Sequence, residues 1–430
     1  MKVKKIICFL IVTIITAAMS ACGGESANNS SETEDLFGKI IVWSQGDNLS
    51  SLKISGDSFK KLYPKVQIEY VNVDKDNLSN KIISGFASSS GLPDIFSIKD
   101  DSIKTFVDKF PDGFLDISST VNPIKSKFID SKILQCSIEG KYFAIPWDAN
   151  PTAVFYRKDI FLKANIFPED IKTWEDYIKA GKAIVANTNG NTKMLPIDEK
   201  NQDILFREML NQLNTGYFDK DGKTILNSKN SIKAMEVINK MNTNGLIYKV
   251  DGGAALNAAI KNGAVATLPY GSSFARLITA NAPEQVGKWG VMKLPSFEAG
   301  GSNVASVDGY SIMITKASKN TKVALKFAQF VATDSASLTE GFNKYGILPA
   351  YSSFYDSENL NKGVAFFENQ KIWPLLTSIA KDSVAFNYTE KFSQTKDQVI
   401  KAQVDILNKK ASVETTMDAL QVQLNNKATK

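Results

Sequence analysis

The sequence predicts an α/β chain arranged as two lobes with segments that pass between them. Three observations carry this. Near the N-terminus, apolar runs suited to buried strands alternate with helix-period segments in a β-α-β-α-β series, the pattern of a parallel sheet. A second set of strand and helix signals follows well downstream, and between the two the stretch Gly140–Asp159 reads as strand, loop, strand, with Pro146 and Pro151 bracketing a polar interruption. Removing Met1–Asp35 leaves 395 residues, enough for two or three domains.

Met1–Ala21 begins with Lys2, Lys4 and Lys5, continues as an apolar run from Ile6 to about Met19, and ends on Ser20 and Ala21. This is the layout of a signal peptide, and about fifteen apolar residues are too few for a comfortable membrane span. Gly23–Asp35 holds only small, polar or acidic residues, so residues 22–36 are expected to form a flexible tether.

Composition narrows the chemistry. There is no histidine, which excludes Ser-His-Asp and Cys-His sites and removes the commonest transition-metal ligand. Of three cysteines, Cys8 leaves with the leader and Cys22 sits at its end; Cys136 stands alone, as a small buried hydrophobe or a free thiol, and forms no disulfide. Net charge falls from +6 to +3 with the three leader lysines, which gives no argument for nucleic acid. Gly181-Lys182 lacks the upstream glycine of a phosphate loop, and no cofactor or metal is expected.

Taken in order, Lys39–Trp43 is a run for a strand buried on both faces, and Trp43, Gln45 and Asp47 lie at its carboxyl end, where open α/β sheets bind ligands. Leu49–Tyr63 has a helical pattern interrupted by Gly56 and stopped by Pro64; Val66–Val71 alternates as a strand. Asn77–Ser90 places Leu78, Ile82 and Phe86 on one helix face and should end at Gly91. Leu92–Ile98 is the third strand: Asp94 at its start caps backbone amides or serves a site, while Lys99, Asp100 and Asp101 at its far end are better placed to touch a ligand.

In the central passage, Tyr142–Ile145 and Ala153–Tyr156 are strands and Trp147, Asp148 and Asn150 share the loop between them; the alternative is an ordinary hairpin with a surface tryptophan. Asp159 is expected to cap a helix over Ile160–Ala164 that stops at Asn165. Thr173 with Asp176 approximates a capping box, which makes Trp174 structural, and Phe218–Thr224 suits a tight turn better than a calcium loop. Asn227 and Ser228 cap a helix reaching Asn244, and Ala254–Asn262 is a helix closed by Gly263. Ala264–Leu268 is a buried strand with Pro269–Phe274 beyond its end, and Gln394–Lys410 and Thr415–Asn425 form a terminal helix pair.

Several of these stretches carry a resemblance. Gly140–Pro146 followed by Phe155–Phe161, Gly91-Leu92-Pro93-Asp94-Ile95, Thr173–Asp176, Gly263–Ser273, Ala317–Asn320 and Gly346–Ala350 resemble, in order, the motifs of family 1 extracellular solute-binding proteins, the carbohydrate-binding components of ABC importers. Met19–Gly23 resembles a bacterial lipobox, which implies lipid on Cys22 and an extracytoplasmic, membrane-anchored receptor. The resemblance implies a two-lobe, periplasmic-binding-protein type II-like fold: one lobe from residues 37–147 and 305–350, the other from 148–304 and 351–430. Return crossings are expected at Trp289–Ile312 and Gly346–Ala350. A monomeric binding protein rather than an enzyme is implied, with permease subunits and their ATPase as partners. Ser273 falls where members of the family carry a stacking tryptophan, which leaves Tyr270 or Phe274 as the ring; Trp373 matches another stacking position, and Asn150 stands where maltose-type members have an acid.

A sugar offers apolar C–H faces and a rim of hydroxyls, so rings, carboxylates and amides make its site. The expected ligand contacts are Trp43, Gln45, Asp47, Asp100, Trp147, Asp148, Asn150, Tyr270, Asp308 and Trp373. Core packing is the alternative for each tryptophan, and bracing of a hinge for Asp308. A surface glycosidase or lyase built on a carboxylate pair, and the same fold with a polyamine, peptide or metal complex as ligand, are the competing functions.

Overall fold

Eight strands build the two main sheets of the computed structural model, which describes residues 35–199 and 202–428: Gly38–Ser44 (β1), Val66–Asn72 (β2), Ile95–Lys99 (β3), Ala144–Pro146 (β4), Thr152–Arg157 (β5), Thr267–Gly271 (β6), Trp289–Met292 (β7) and Tyr310–Ile314 (β8). The expected signal peptide, Cys22 and the expected tether up to residue 34 lie outside the described residues. Asp35 closes the first unit of the chain, and Leu36–Lys430 is the second. Leu36, assigned to the tether, is buried in a hydrophobic core, because a leucine beside β1 gains more from apolar burial than from solvent.

The first lobe is a five-stranded sheet of order β2-β1-β3-β8-β4. β1 pairs in parallel with β2, from Gly38↔Val66 to Ser44↔Asn72, and with β3; β8 then runs antiparallel to β3 and β4. Its core contains Phe59, Phe96, Phe114, Trp147 and Phe327, with Phe59 edge-on to Phe327 at 5.2 Å. Asp94 is structural: its carboxylate accepts from the Ile41 amide at 2.7 Å and from the Ser318 hydroxyl. The second lobe is built on a three-stranded antiparallel sheet, β6-β5-β7. One apolar cluster holds Trp174, Tyr177, Phe206 and Tyr217, and another holds Phe155, Trp289, Phe342 and Trp373.

β4 and β5 belong to different sheets, so the central passage is a crossing and not a hairpin. The chain crosses back between β7 and β8, and again at Ile347–Ala350. These crossings are hydrogen-bonded to one another: the Trp147 and Asp148 amides donate to the Tyr310 carbonyl at 3.2 and 3.1 Å, Ala149 donates to Leu348 at 2.8 Å, and Ala350 donates to Trp147 at 3.0 Å.

Local differences from the sequence reading have local causes. The first helix, Gly46–Leu62, runs unbroken through Gly56, because the Tyr70 hydroxyl occupies the space of a Cβ there while donating to the Leu52 carbonyl at 3.3 Å. The second, Lys75–Ser88, ends on Ser89 in a left-handed conformation, before Gly91. Asp159 is not a cap; it lies in the first turn of Lys158–Lys163 and grips Arg157 through two bonds of 2.8 and 2.7 Å. β6 includes Pro269 and Tyr270, since an edge strand tolerates a residue without an N–H. The capping box of Thr173 and Asp176 forms as expected, Trp174 is buried behind it, and Phe218–Thr224 is a turn closed by a bridge between its ends. Among the described residues no helix is long and apolar enough to cross a membrane.

Adding a methyl group at Gly56 forces Tyr70 from its place between the first helix and β2. Gly56→Ala is expected to lower stability by about 1–3 kcal/mol, read from the urea midpoint at unchanged slope.

Candidate functional site

The site begins with charges that the crossings bury. Asp100 follows β3 and is 2% exposed; it pairs with Lys132 and accepts from the Ser311 hydroxyl at 2.6 Å. Asp148 accepts from the Tyr310 amide at 2.5 Å, and Lys99 meets Asp308 at 3.0 Å. Gly309 sits at φ +151° among them, where a Cβ would press on Lys132, Asp148 and Asp100; only glycine fits that backbone and that space. Burial raises the Asp148 carboxyl to about 6, more than Lys132 and the Tyr310 amide lower it. For Asp308, burial is outweighed by the Lys99 ammonium and Arg207, which hold it well below the ordinary carboxylate range.

Around this knot open two adjoining cavities that share Lys99, Asn150, Ser273 and Asp308. The larger, about 690 Å³, takes Lys99, Asp101 and Ser102 from the end of β3, Asn150 and Thr152 from the central crossing, Tyr270 and Gly271 from β6, Asp198, Arg207 and Glu208 from the second lobe, and Asp308 from the return crossing. The smaller, about 450 Å³, adds Asp47, Asp148, Arg276 and Tyr310. Tyr270 and Phe274 stack with centroids 4.3 Å apart and planes 10° from parallel, giving the larger cavity an aromatic face. Ion pairs reach from lobe to lobe beside it. Asp101 lies 3.9 Å from Lys396 and 4.0 Å from Arg207, and Asp47 lies 3.2 Å from Arg276.

The structure thus brings Asn150, Tyr270 and Asp308 together in the larger cavity and Asp47, Asp148, Asn150 and Asp308 in the smaller. The other expected contacts lie elsewhere. Trp43 faces the helix Lys75–Ser88 and lines an outer groove, because the residues of β1 facing the opposite side are the buried ones, Ile40, Val42 and Ser44. Gln45 donates to the Tyr310 hydroxyl at 2.8 Å and lines neither cavity, and Asp100 is turned to Lys132. Trp147 and Trp373 are 2% and 9% exposed and pack in apolar clusters, Trp373 edge-on to Phe342. Both line neither cavity.

The sequence reading missed Asp198, Asp203, Arg207 and Glu208, which stand before and on the helix Ile204–Gln212. The available signal was a helix carrying Arg207, Glu208, Asn211 and Gln212 among large apolar residues. Glu208 is 1% exposed and accepts from the Thr152 hydroxyl at 2.7 Å; burial raises its carboxyl to about 8, against the lowering effects of Thr152 and Arg207. The cavity therefore mixes acids, bases, amides and one aromatic pair, groups that bind a polar, hydroxyl-rich solute from both sides at once.

Two α/β lobes joined by three crossings, with a polar cavity between them, define a cleft-binding solute receptor. The chain belongs to the bacterial extracellular solute-binding protein family, whose signature matches residues 43–337. It is 26% identical to the arabinooligosaccharide-binding protein of Bacillus subtilis (strain 168) over 92% of this chain and 93% of that one, and 24% identical to the lactose-binding protein of Rhizobium radiobacter over 91% and 93%. Among solved structures, the GacH receptor of Streptomyces glaucescens GLA.O superposes with a TM-score of 0.77 at 17% identity, covering 91% of this chain and 98% of that chain. The binding protein of B. animalis subsp. lactis Bl-04 in complex with β-1,6-galactobiose gives 0.75 at 21%, covering 90% and 97%. These likenesses establish the two-lobe fold.

Glu208 also makes a stability prediction. Its proton is held more tightly folded, near 8, than unfolded, near 4.5, so the folded chain binds more protons between those values and stability falls as pH rises through that window. Glu208→Gln removes this loss. The variant's melting temperature should gain on the parent from pH 5 to pH 8, with little difference below pH 4.5.

Proposed function

We propose that this protein is the extracytoplasmic receptor of an ABC importer and binds a sugar or short oligosaccharide between its lobes for delivery to the permease. The observation that carries this reading is the composition of the larger cavity: Asn150, Asp308, Lys99 and Glu208 supply hydrogen-bonding groups around the stacked ring face of Tyr270 and Phe274. That is the chemistry of a hydroxyl rim and a C–H face. Relatives named for arabinooligosaccharides, lactose and galactooligosaccharides, matched over 84–93% of their lengths, support it. The receptor acts as a monomer, binds without turnover, and divides into residues 37–147 with 305–350 and residues 148–304 with 351–430. The ligand contacts we assign are Asp47, Asp148, Asn150, Tyr270 and Asp308.

A panel of arabinotriose, lactose, β-1,6-galactobiose, maltotriose and their monosaccharides, read by melting temperature, tests the reading. A sugar present at a hundredfold over its dissociation constant should add about 2.7 kcal/mol of stability. Tyr270→Ala should abolish the shift while the unliganded protein still melts cooperatively. Silence across the panel, with a shift from spermidine or a peptide, would remove the sugar assignment; release of hydrolysed product would remove the receptor.

Anchoring through lipid on Cys22 is the second part of the proposal, supported by Met19–Gly23 and the polar stretch Gly23–Asp35. Cys22→Ser should move the protein from the membrane fraction to the medium or periplasm and abolish incorporation of labelled palmitate. Unchanged labelling would overturn it.

A further inference from the structure

The helix Ile204–Gln212 is buried along the whole of Leu205–Gln212, so each polar side chain on it needs a partner inside the protein. Arg207 donates to Asp203, to the Val307 carbonyl and to Tyr388. Asn211 donates to the Val384 carbonyl and accepts from the Ser306 amide. Gln212 donates to the carbonyls of Pro295 and Ser302 and accepts from the Trp174 indole. Glu208 departs from this pattern. Thr152 fixes its Oε1, while its Oε2 has no hydrogen-bond partner among the described residues, and the side chain lines the larger cavity.

A buried ionised carboxylate with one bare oxygen is costly; a proton on that oxygen removes the charge and creates a donor that still lacks an acceptor. Sugars present acceptors on every ring and hydroxyl oxygen. We propose that Glu208 is a ligand-contacting residue of the cavity whose Oε2 carries a proton and donates it in a hydrogen bond to an oxygen of the bound sugar. The inference rests on the sugar-binding reading above and assigns to it one donor that sets the pH range of binding.

The groups facing Glu208 are Arg207 and Asp203 near its own turn, Thr152 on β5, Asp308 on the return crossing and Tyr270 on β6. Burial holds the Tyr270 hydroxyl above its ordinary value, and Asp308 is held far below the neutral range, so neither changes charge between pH 7 and pH 9. Glu208, raised to about 8, does.

Calorimetric titration of the purified protein with arabinotriose, lactose and β-1,6-galactobiose at pH 7 and pH 9, for the parent and Glu208→Gln, tests this. The sugar that binds at pH 7 should bind the parent roughly tenfold more weakly at pH 9. Glu208→Gln, whose amide donates at every pH, should keep its affinity within about twofold across that range. At pH 8, repeating the titration in buffers of different ionisation enthalpy should show net proton uptake on binding. Parent affinity that is flat or rises with pH, proton release, or the same pH dependence in Glu208→Gln overturns the inference while leaving the receptor in place. Binding of none of the three sugars by either protein overturns this inference together with the sugar reading.

Discussion

Burial of opposite charges where the chain crosses between lobes is the constraint on which the rest of the structure depends. Lys132 and Asp100 are each 1% exposed at the side chain, far from the hydration that makes surface pairs weak. Such a pair adds little net stability over an apolar one, yet breaking it costs about 3–5 kcal/mol, because a buried charge is left alone. The crossing therefore has one arrangement it can hold. Asp100 must sit at the end of β3, Lys132 must reach it from the helix Asp130–Gln135, and residue 309 must have no side chain. Hydrogen bonds from Trp147, Asp148, Ala149 and Ala350 zip the crossings beside this knot.

A fixed knot fixes what projects from it. Lys99 and Asp101 flank Asp100 in sequence, and Asp308 precedes Gly309, so the residues that face the cavity are placed by neighbours that face away from it. This division explains why adjacent acids have opposite fates: Asp100 is spent on Lys132, and Asp101 looks across to Lys396 and Arg207 on the other lobe. Asp101 and Arg207 are well shielded, whereas the Asp47–Arg276 pair at the outer edge is half exposed. Salt screens the second far more than the first, so the inner contacts set the geometry of the lobes around the cavity and the outer one only biases it.

The fold was legible because its signals are local. The alternation of Val66–Val71, the capping box at Thr173 and the prolines around Trp147 each arise from a few consecutive residues, and their order along the chain carried the family resemblance. The site was legible only in part, for a physical reason. Asn150, Tyr270 and Asp308 stand at strand ends or crossings, where position alone exposes a side chain to the cleft. Trp147 and Trp373 have the right residue type, but whether a ring meets a ligand or a core depends on partners such as Phe342 that are distant in sequence. Gly56 misled for the same reason: its lack of a side chain serves Tyr70 in the next strand, not a break in its own helix.

Glu208 was illegible in sequence and is the most informative residue in the structure, and both facts have one origin. A charged residue amid Leu205, Phe206, Met209 and Leu210 reads as the solvent side of an amphipathic helix, but this helix has no solvent side. Satisfying Arg207, Asn211 and Gln212 takes acceptors and donors from four distant segments, and that network locks the helix in rotation about its axis. Locking the helix places Glu208 on the wall of the cavity and fixes its Oε1 on Thr152, which leaves the buried Oε2 without a partner among the described residues. A site built to hydrogen-bond one oxygen discriminates strongly against a solute that lacks it, because the buried group is then left unpaired. On the proposed sugar-binding reading, a cavity whose described lining carries one stacked aromatic pair among many polar groups selects more through such oriented groups than through the area of ring surface it presents.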